Sequence, residues 1–214
     1  EGYESQKRNP EGQIIQPWEW ENSELTLANQ PVVGVTWYEA CAYAAWLTDV
    51  LRQQNRFDET IRLRLPTEAE WEKAARGRQE EHGKQPRLWG WGNRWSPNNA
   101  NSLEGRVMNP TPVGAYPRGA SRYGILDMHG NVYEWCSDWY ADRIYQGCAN
   151  QVVRDPLGPE QGQRRILRGG SWSNDRNDAR CAYRYRDGPD SFNLDIGFRL
   201  VRSPSISEIC CSGL

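Results

Sequence analysis

A chain of 214 residues has room for one large domain or two small ones, and either would bury a sizeable core. Its net charge of −2 gives no basic footprint of the kind nucleic acid demands, and no apolar run reaches the length of a bilayer span. Eleven Trp with 20 Gly and 13 Pro predict a turn-rich body held together by large aromatic side chains.

Residues 1 to about 30 are polar and broken by Pro, which predicts coil that packs Trp18 and Trp20 onto the domain. Thr36 and Glu39 form a capping-box pattern, in which each side chain satisfies a free amide at a helix start. Trp37, Ala40, Cys41, Ala44, Ala45 and Leu47 follow at helical spacing as the buried stripe, to about Gln53. A second box, Thr67 with Glu70, follows Pro66. It opens a helix with Trp71, Ala74 and Ala75 inward and Gly77 as the stop. Arg62-Leu63-Arg64-Leu65 before it alternates like a short strand. Both helices read as scaffold, because their apolar positions match amphipathic packing with nothing left over.

From Trp89 to Pro117 the Gly, Asn, Pro and Trp content predicts loops with short strands. In the run from Tyr123 to Trp135, Asp127, Asn131 and Glu134 supply oxygen donors, and Gly130 allows a sharp turn that exposes carbonyls. Hard cations such as calcium take that mixture. The competing reading is a turn whose Asp and Asn bond their own backbone, and spacing alone favours it.

Six cysteines, Cys41, Cys136, Cys148, Cys181, Cys210 and Cys211, form no CxxC pair and no zinc spacing with His82 and His129. Cys41 and Cys136 read as buried small hydrophobes, and the set as free thiols, which points to the cytoplasm. The chain opens on Glu1, so a fragment is expected, with further domains N-terminal to it. A targeting segment among them leaves surface display open.

The longest irregular stretch runs from Arg168 to Arg199, from a Gly169-Gly170 turn to an apolar strand at Ile196–Val201. A polar loop this long in a compact domain is functional or disordered, and the interleaved Trp172, Tyr183, Tyr185 and Phe192 argue against disorder. From Arg164 through Ser207 there is no Lys, Glu, Gln or Met: every acid is Asp and every base is Arg. Short acids and planar guanidinium groups suit a contact surface, since they lose less rotamer freedom per hydrogen bond. No internal repeat or linker divides the chain, so a single domain over residues 1–214 is expected.

Four motifs stand in order: P-V-V-G-V-T-W-Y-E-A at 31–40, R-L-P-T-E-A-E-W-E-K-A-A-R-G at 64–77, G-N-V-Y-E-W at 130–135, and R-G-G-S-W…G-F-R-L at 168–200. Together they resemble the formylglycine-generating-enzyme (sulfatase-modifying factor) family. The resemblance implies an α+β, C-type lectin-like fold with two helices, few short strands and much irregular structure, here lacking the family's opening strand. The family's oxidases hold copper with two cysteines downstream of the Gly-Gly-Ser. By offset from Ser171 those places carry Asn174 and Ala179, and Cys181 aligns, across a gap, outside the catalytic pair. Asparagine and alanine offer copper(I) no thiolate, so neither copper nor oxidase activity is expected. The family's iron-dependent sulfoxide synthases take metal ligands from a His-bearing partner domain that these residues lack.

A third branch is similar over 168–199: proteins whose variable region is diversified by a retroelement. Adenine-specific mutagenesis of Asn codons scatters Asn, Asp, Ser, Tyr, Arg, Gly, Phe and Leu, and yields no Lys, Glu, Gln or Met at codons ending in C. The fixed frame would then be Gly169, Gly170, Ser171, Trp172, Pro189, Asp190, Ile196, Gly197 and Phe198. The expected function is a non-catalytic module that binds a protein or other macromolecule; the alternative is an enzyme of the family. Its contact face would comprise Trp172, Ser173, Asn174, Asp175, Arg176, Asp178, Arg180, Tyr183, Tyr185, Asp187, Gly188, Phe192, Asn193, Leu194 and Asp195. The resemblance also implies a structural calcium ion on Asp127, Gly130, Val132 and Glu134, the middle two through carbonyls. A second calcium site of the family is degraded here, retaining Asn101 and Ser102 but with its acidic loop shortened.

Overall fold

A computed structural model describes residues 16–78, 86–146, 153 and 155–204. Helix α1 (Trp37–Gln53) starts at the Thr36–Glu39 box: Thr36 Oγ1 accepts from the Glu39 amide at 3.2 Å, and Glu39 accepts from the Thr36 amide at 2.7 Å. Helix α2 (Glu68–Arg76) repeats the device with Thr67 and Glu70 and stops at Gly77, whose φ of 86° is left-handed. Strand β1 (Ile61–Arg64) lies between them in sequence.

The strands form two sheets. β1 pairs antiparallel with β6 (Val201–Pro204), in register from Ile61 opposite Pro204 to Arg64 opposite Val201. The larger sheet is ordered β4 (Tyr185–Asp187), β3 (Arg165–Arg168), β2 (Tyr133–Trp139), β5 (Ile196–Gly197), with β2 and β5 parallel.

β2 is central and buried on both faces. Tyr133 and Trp135 join Ala40, Leu65, Leu167 and Ile196 in one apolar cluster; Cys136 joins Trp71, Ala75, Met128, Ile166 and Cys181 in the other. Tryptophan supplies polar ties as well as area. Trp135 Nε1 donates to the Val35 carbonyl at 3.1 Å, and Trp37 Nε1 to that of Cys136 at 2.9 Å. Among the described residues no helix is long and apolar enough to cross a membrane.

Five expectations change. The apolar strand expected over 196–201 is interrupted: Ile196–Gly197 pairs with β2 and Val201–Pro204 with β1, so residues 198–200 cross from one sheet to the other. Ala45 faces solvent, because α1 buries only the narrow stripe Ala40, Ala44 and Thr48, which brings it close enough to β1 for Thr48 Oγ1 to accept from the Leu63 amide at 2.9 Å. Trp20 is 45% exposed, so only Trp18 packs inward, edge-on to Phe192 at 5.8 Å. Residues 89–117 form 3-10 turns at Leu103–Gly105 and Pro117–Gly119 and one isolated bridge, with no short strands. There Trp89, Trp91 and Trp95 pack on one another with centroids 5.2–6.3 Å apart, replacing sheet pairing with side-chain contact. Inside the stretch that showed little periodicity, Tyr185–Asp187 forms β4, since pairing with β3 organises three residues too short to show a pattern. Cys148, Cys210, Cys211 and His82 lie outside the described residues.

Candidate binding loop and cation site

β3 ends at Arg168, and Gly169 (φ 99°) and Gly170 (φ 71°) turn the chain into the candidate loop. At Gly170 a side chain would also lie 3.0 Å from the Ala179 amide nitrogen, so the turn and the loop pack too closely for anything larger.

Beyond that turn, the frame grips the loop by its backbone. The Trp172 amide donates to the Asn131 carbonyl at 3.0 Å, and the Asn174 carbonyl accepts from the Leu103 amide at 2.9 Å. Glu104 accepts from the Arg176 amide at 2.9 Å, and Trp89 Nε1 donates to the Arg176 carbonyl at 3.2 Å. Cys181 donates its amide to the Leu88 carbonyl at 2.7 Å. Further on, the carbonyls of Pro189, Asn193 and Asp195 accept from the amides of Trp37, Gly34 and Tyr133 at 3.1, 3.1 and 2.7 Å. At each of these points the loop offers only main-chain atoms.

All fifteen expected contact residues lie at least partly at the surface. Ser173, Asp175, Arg176, Tyr185 and Asn193 are exposed; Trp172, Asn174, Asp178, Arg180, Tyr183, Asp187, Gly188, Phe192, Leu194 and Asp195 are half-buried. A polar seam runs through them. Ser171 Oγ lies 2.5 Å from Asn174 Oδ1, 2.8 Å from Asp195 Oδ2 and 2.9 Å from Ser173 Oγ, and Asn174 Nδ2 donates to Asp178 Oδ2 at 3.3 Å. Burial pushes the Tyr183 hydroxyl pKa up, and the neighbouring Asp178 adds to it. Tyr185 stacks on Tyr133 with centroids 5.1 Å apart. Not every loop side chain is free of the frame: Arg184 forks onto Glu68 at 2.7 and 2.9 Å, and Arg186 bonds the Tyr140 hydroxyl at 3.1 Å.

Asn174 and Ala179 lie within this loop, and Ala179 is buried. Its carbonyl is 2.7 Å from His129 Nδ1. His129 Nε2 accepts from the Gly90 amide at 2.8 Å, so the ring is neutral with its proton on Nδ1, and burial lowers its pKa to about 4. Burial pushes the Cys181 thiol up to about 12 and raises that of Cys136, so neither presents a thiolate near neutrality.

The expected calcium donors lie in the turn before β2 (Asp127, Gly130 and Val132) and on β2 itself (Glu134). Asp127 (φ 56°), Gly130 (φ 74°) and Asn131 (φ 68°) are left-handed. A side chain at Gly130 would fall 2.1 Å from the Asn101 carbonyl oxygen, so this tight turn needs glycine. Burial raises the Asp127 pKa, against the Gly114 amide that donates to its carboxylate at 2.7 Å and the nearby Arg199 charge, which lower it. Asn101 Oδ1, buried beside this turn, has no hydrogen-bond partner. Two carboxylates and an unpartnered amide oxygen are donor types that a hard cation takes. Glu134 is not free, however: Arg199 takes both its oxygens, at 2.5 and 2.6 Å, and Trp71 Nε1 donates to it at 2.6 Å. An ion would share this carboxylate with the guanidinium.

Sequence reasoning gave Arg168, Glu104 and His129 no part in holding the loop, and read the motif around Tyr133 for metal and for the family resemblance, not for contact with the loop. Glu104 has no signal in sequence, because its partner is a backbone amide 72 residues away. Tyr133, by contrast, sits in the G-N-V-Y-E-W motif and opens β2, whose first four residues are all buried.

Comparison with known proteins adds independent evidence. The sulfatase-modifying factor enzyme 1-like domain matches residues 2–204. The chain is 42% identical over 175 residues to the serine/threonine-protein kinase Pkn1 of Chlamydia trachomatis, covering 82% of this chain and 24% of that protein. It is 36% identical over 197 residues to the formylglycine-generating enzyme of Streptomyces coelicolor, covering 84% and 55%. It thus spans about a quarter of the first relative and about half of the second. Among solved structures, variable protein 1 of Treponema denticola superposes with a TM-score of 0.68 at 27% identity, covering 83% of this chain and 72% of that one. The architecture is α+β on a C-type lectin-like scaffold.

Proposed function

The chain belongs to the sulfatase-modifying factor enzyme 1-like family, and within it we propose a non-catalytic binding module whose 173–195 surface, diversified by a retroelement, recognises a protein or other macromolecule. One observation carries this reading: the frame holds the loop through main-chain amides and carbonyls at 172, 174, 176, 181, 189, 193 and 195. A loop held in that way keeps its path while outward side chains change. Tyr and Arg dominate interface energetics, and Ser and Asn give adaptable hydrogen bonds around them. The likeness to a variable protein and the missing Lys, Glu, Gln and Met support the same reading.

Calcium belongs to the proposal as a structural ion on Asp127, Glu134 and the carbonyls of Gly130 and Val132, bracing the turn from which β2 and Tyr133 emerge. The diversified reading is tested by sequencing this gene and the DNA downstream of it in independent isolates. Differences confined to codons 173–195, with a near-copy of codons 164–200 nearby, are expected. Differences scattered over the frame, or no near-copy, overturn it.

A further inference from the structure

Arg168, the last residue of β3, is wholly buried, and its guanidinium reaches under the loop. Nη1 donates to the Tyr183 carbonyl, and Nη2 donates to the Cys181 carbonyl at 2.6 Å and to Glu72 Oε2 at 2.6 Å. Glu68 Oε1 stands 3.6 Å from Nη1. We propose that Arg168 is the positioning residue of the Cys181–Tyr185 arm, holding its backbone from beneath so that Tyr183 and Tyr185 stand at the contact face. This deepens the binding reading above and rests on it for its purpose.

Two features of the geometry lead there. First, a planar fork can donate to two carbonyls and a carboxylate at once, which a lysine ammonium, a point charge on a flexible stem, does not reproduce. Both loop contacts end on carbonyls, so they do not depend on which side chains occupy 182, 183 and 185. Second, the counter-charges are themselves fixed. Glu68 and Glu72 lie one turn apart on α2. The Glu68 amide donates to Asp138 Oδ2 at 2.8 Å, and its carboxylate takes Arg184 at 2.7 and 2.9 Å and the Tyr145 hydroxyl at 2.9 Å. The guanidinium is therefore seated between two acids of a capped helix, and the arm is hung from it. At the end of the arm, Tyr185 stacks on Tyr133 of β2 and stands opposite Leu167 of β3.

Two buried thiols act as reporters. Cys181 belongs to the arm, while Cys136 belongs to β2, and both lie in one apolar cluster. Arg168→Lys keeps the charge and loses the fork. Labelling with a polar maleimide, mapped by mass spectrometry, should show Cys181 reacting at least about tenfold faster than in the wild type, as losing a hydrogen bond to a charged group implies. Cys136 should stay protected, and faster amide exchange should be confined to 181–187. Unchanged Cys181 protection overturns the proposal, and so does equal exposure of both thiols, which marks general loosening. If Arg168→Lys does not fold, Glu72→Gln carries the test, with a smaller rise at Cys181 alone expected and no rise overturning it. These readouts need no bound partner, so their failure is distinguishable from failure of the binding reading.

Discussion

Glu134 and Arg199 meet as a bidentate pair, Nε to Oε2 at 2.5 Å and Nη2 to Oε1 at 2.6 Å, with the Glu134 side chain only 6% exposed. Arg199 also reaches the carbonyls of Leu126 and Asp127 at 3.2 and 3.3 Å. Its fork thus joins the segment between β5 and β6 to the turn that precedes β2.

That pair shapes the calcium prediction. Glu134→Gln leaves the Arg199 guanidinium, whose side chain is 25% exposed, without its counter-charge and should cost about 1.5–3 kcal/mol with or without metal. The informative quantity is the increment in melting temperature on adding calcium. A bound ion stabilises by about 2.7 kcal/mol at one hundred times its dissociation constant, so the wild type should gain several degrees and the variant little. Equal increments in both proteins would remove the ion from this site.

The acid limb should be governed in part by His129. Its folded pKa of about 4 lies below the ordinary 6.5, because burial disfavours the imidazolium. Below pH 6.5 the unfolded chain takes up a proton that the folded chain refuses until pH reaches about 4. Stability is therefore complete above 6.5 and lost as pH falls through that window, by about 3 kcal/mol for this group. His129→Gln should flatten the fall between pH 6.5 and 4.5 in thermal melts. An identical slope in the variant assigns the acid limb to other groups.

Copper gives a negative prediction with a physical basis. Copper(I) requires thiolates, and the Cys181 thiol, pushed up to about 12, remains protonated at pH 7. Competition with a copper(I) chelator should show no site tighter than that of an ordinary thiol protein, and a cysteine-bearing sulfatase peptide should stay unoxidised. Turnover that persists after rigorous purification and disappears in Cys181→Ala would restore the enzymatic reading.

Local chemistry made part of this structure legible in advance. The capping boxes at Thr36 and Thr67 place both helix starts, because each box is complete within four residues. The loop's limits were readable from Gly169-Gly170 and Ile196-Gly197, where backbone demands show as residue type. What holds the loop was not. Leu103 to Asn174, Glu104 to Arg176 and Trp37 to Pro189 are contacts to main-chain atoms, which leave no trace in the identity of the residue being held. The exposure of Ala45 and Trp20 was hidden for a related reason: hydropathy says that a side chain could be buried, not that a partner surface exists to bury it.

Ser171 and Asn193 separate the frame of the loop from its free surface. Ser171 is buried and its hydroxyl meets Asn174, Asp195 and Ser173, so Ser171→Ala should cost about 1–3 kcal/mol by leaving those groups short of a partner. Asp175, Arg176 and Asn193 are exposed. Among the described residues the Asp175 carboxylate bonds only Asn177, and Arg176 and Asn193 are held through backbone atoms that alanine retains. Each change to alanine should fall within about 0.5 kcal/mol, and the triple variant should melt within a few degrees of the wild type. Tyr185 and Phe192 are poorer probes, because Tyr185 stacks on Tyr133 and Phe192 packs against Trp18, so truncating them mixes contact with packing. If the face binds, the triple variant should lose whatever protein the wild type retains in a matched pull-down, while Ser171→Ala weakens capture only in proportion to its unfolding. A triple variant that unfolds makes these residues structural. One that retains the same protein at wild-type strength moves the binding surface elsewhere.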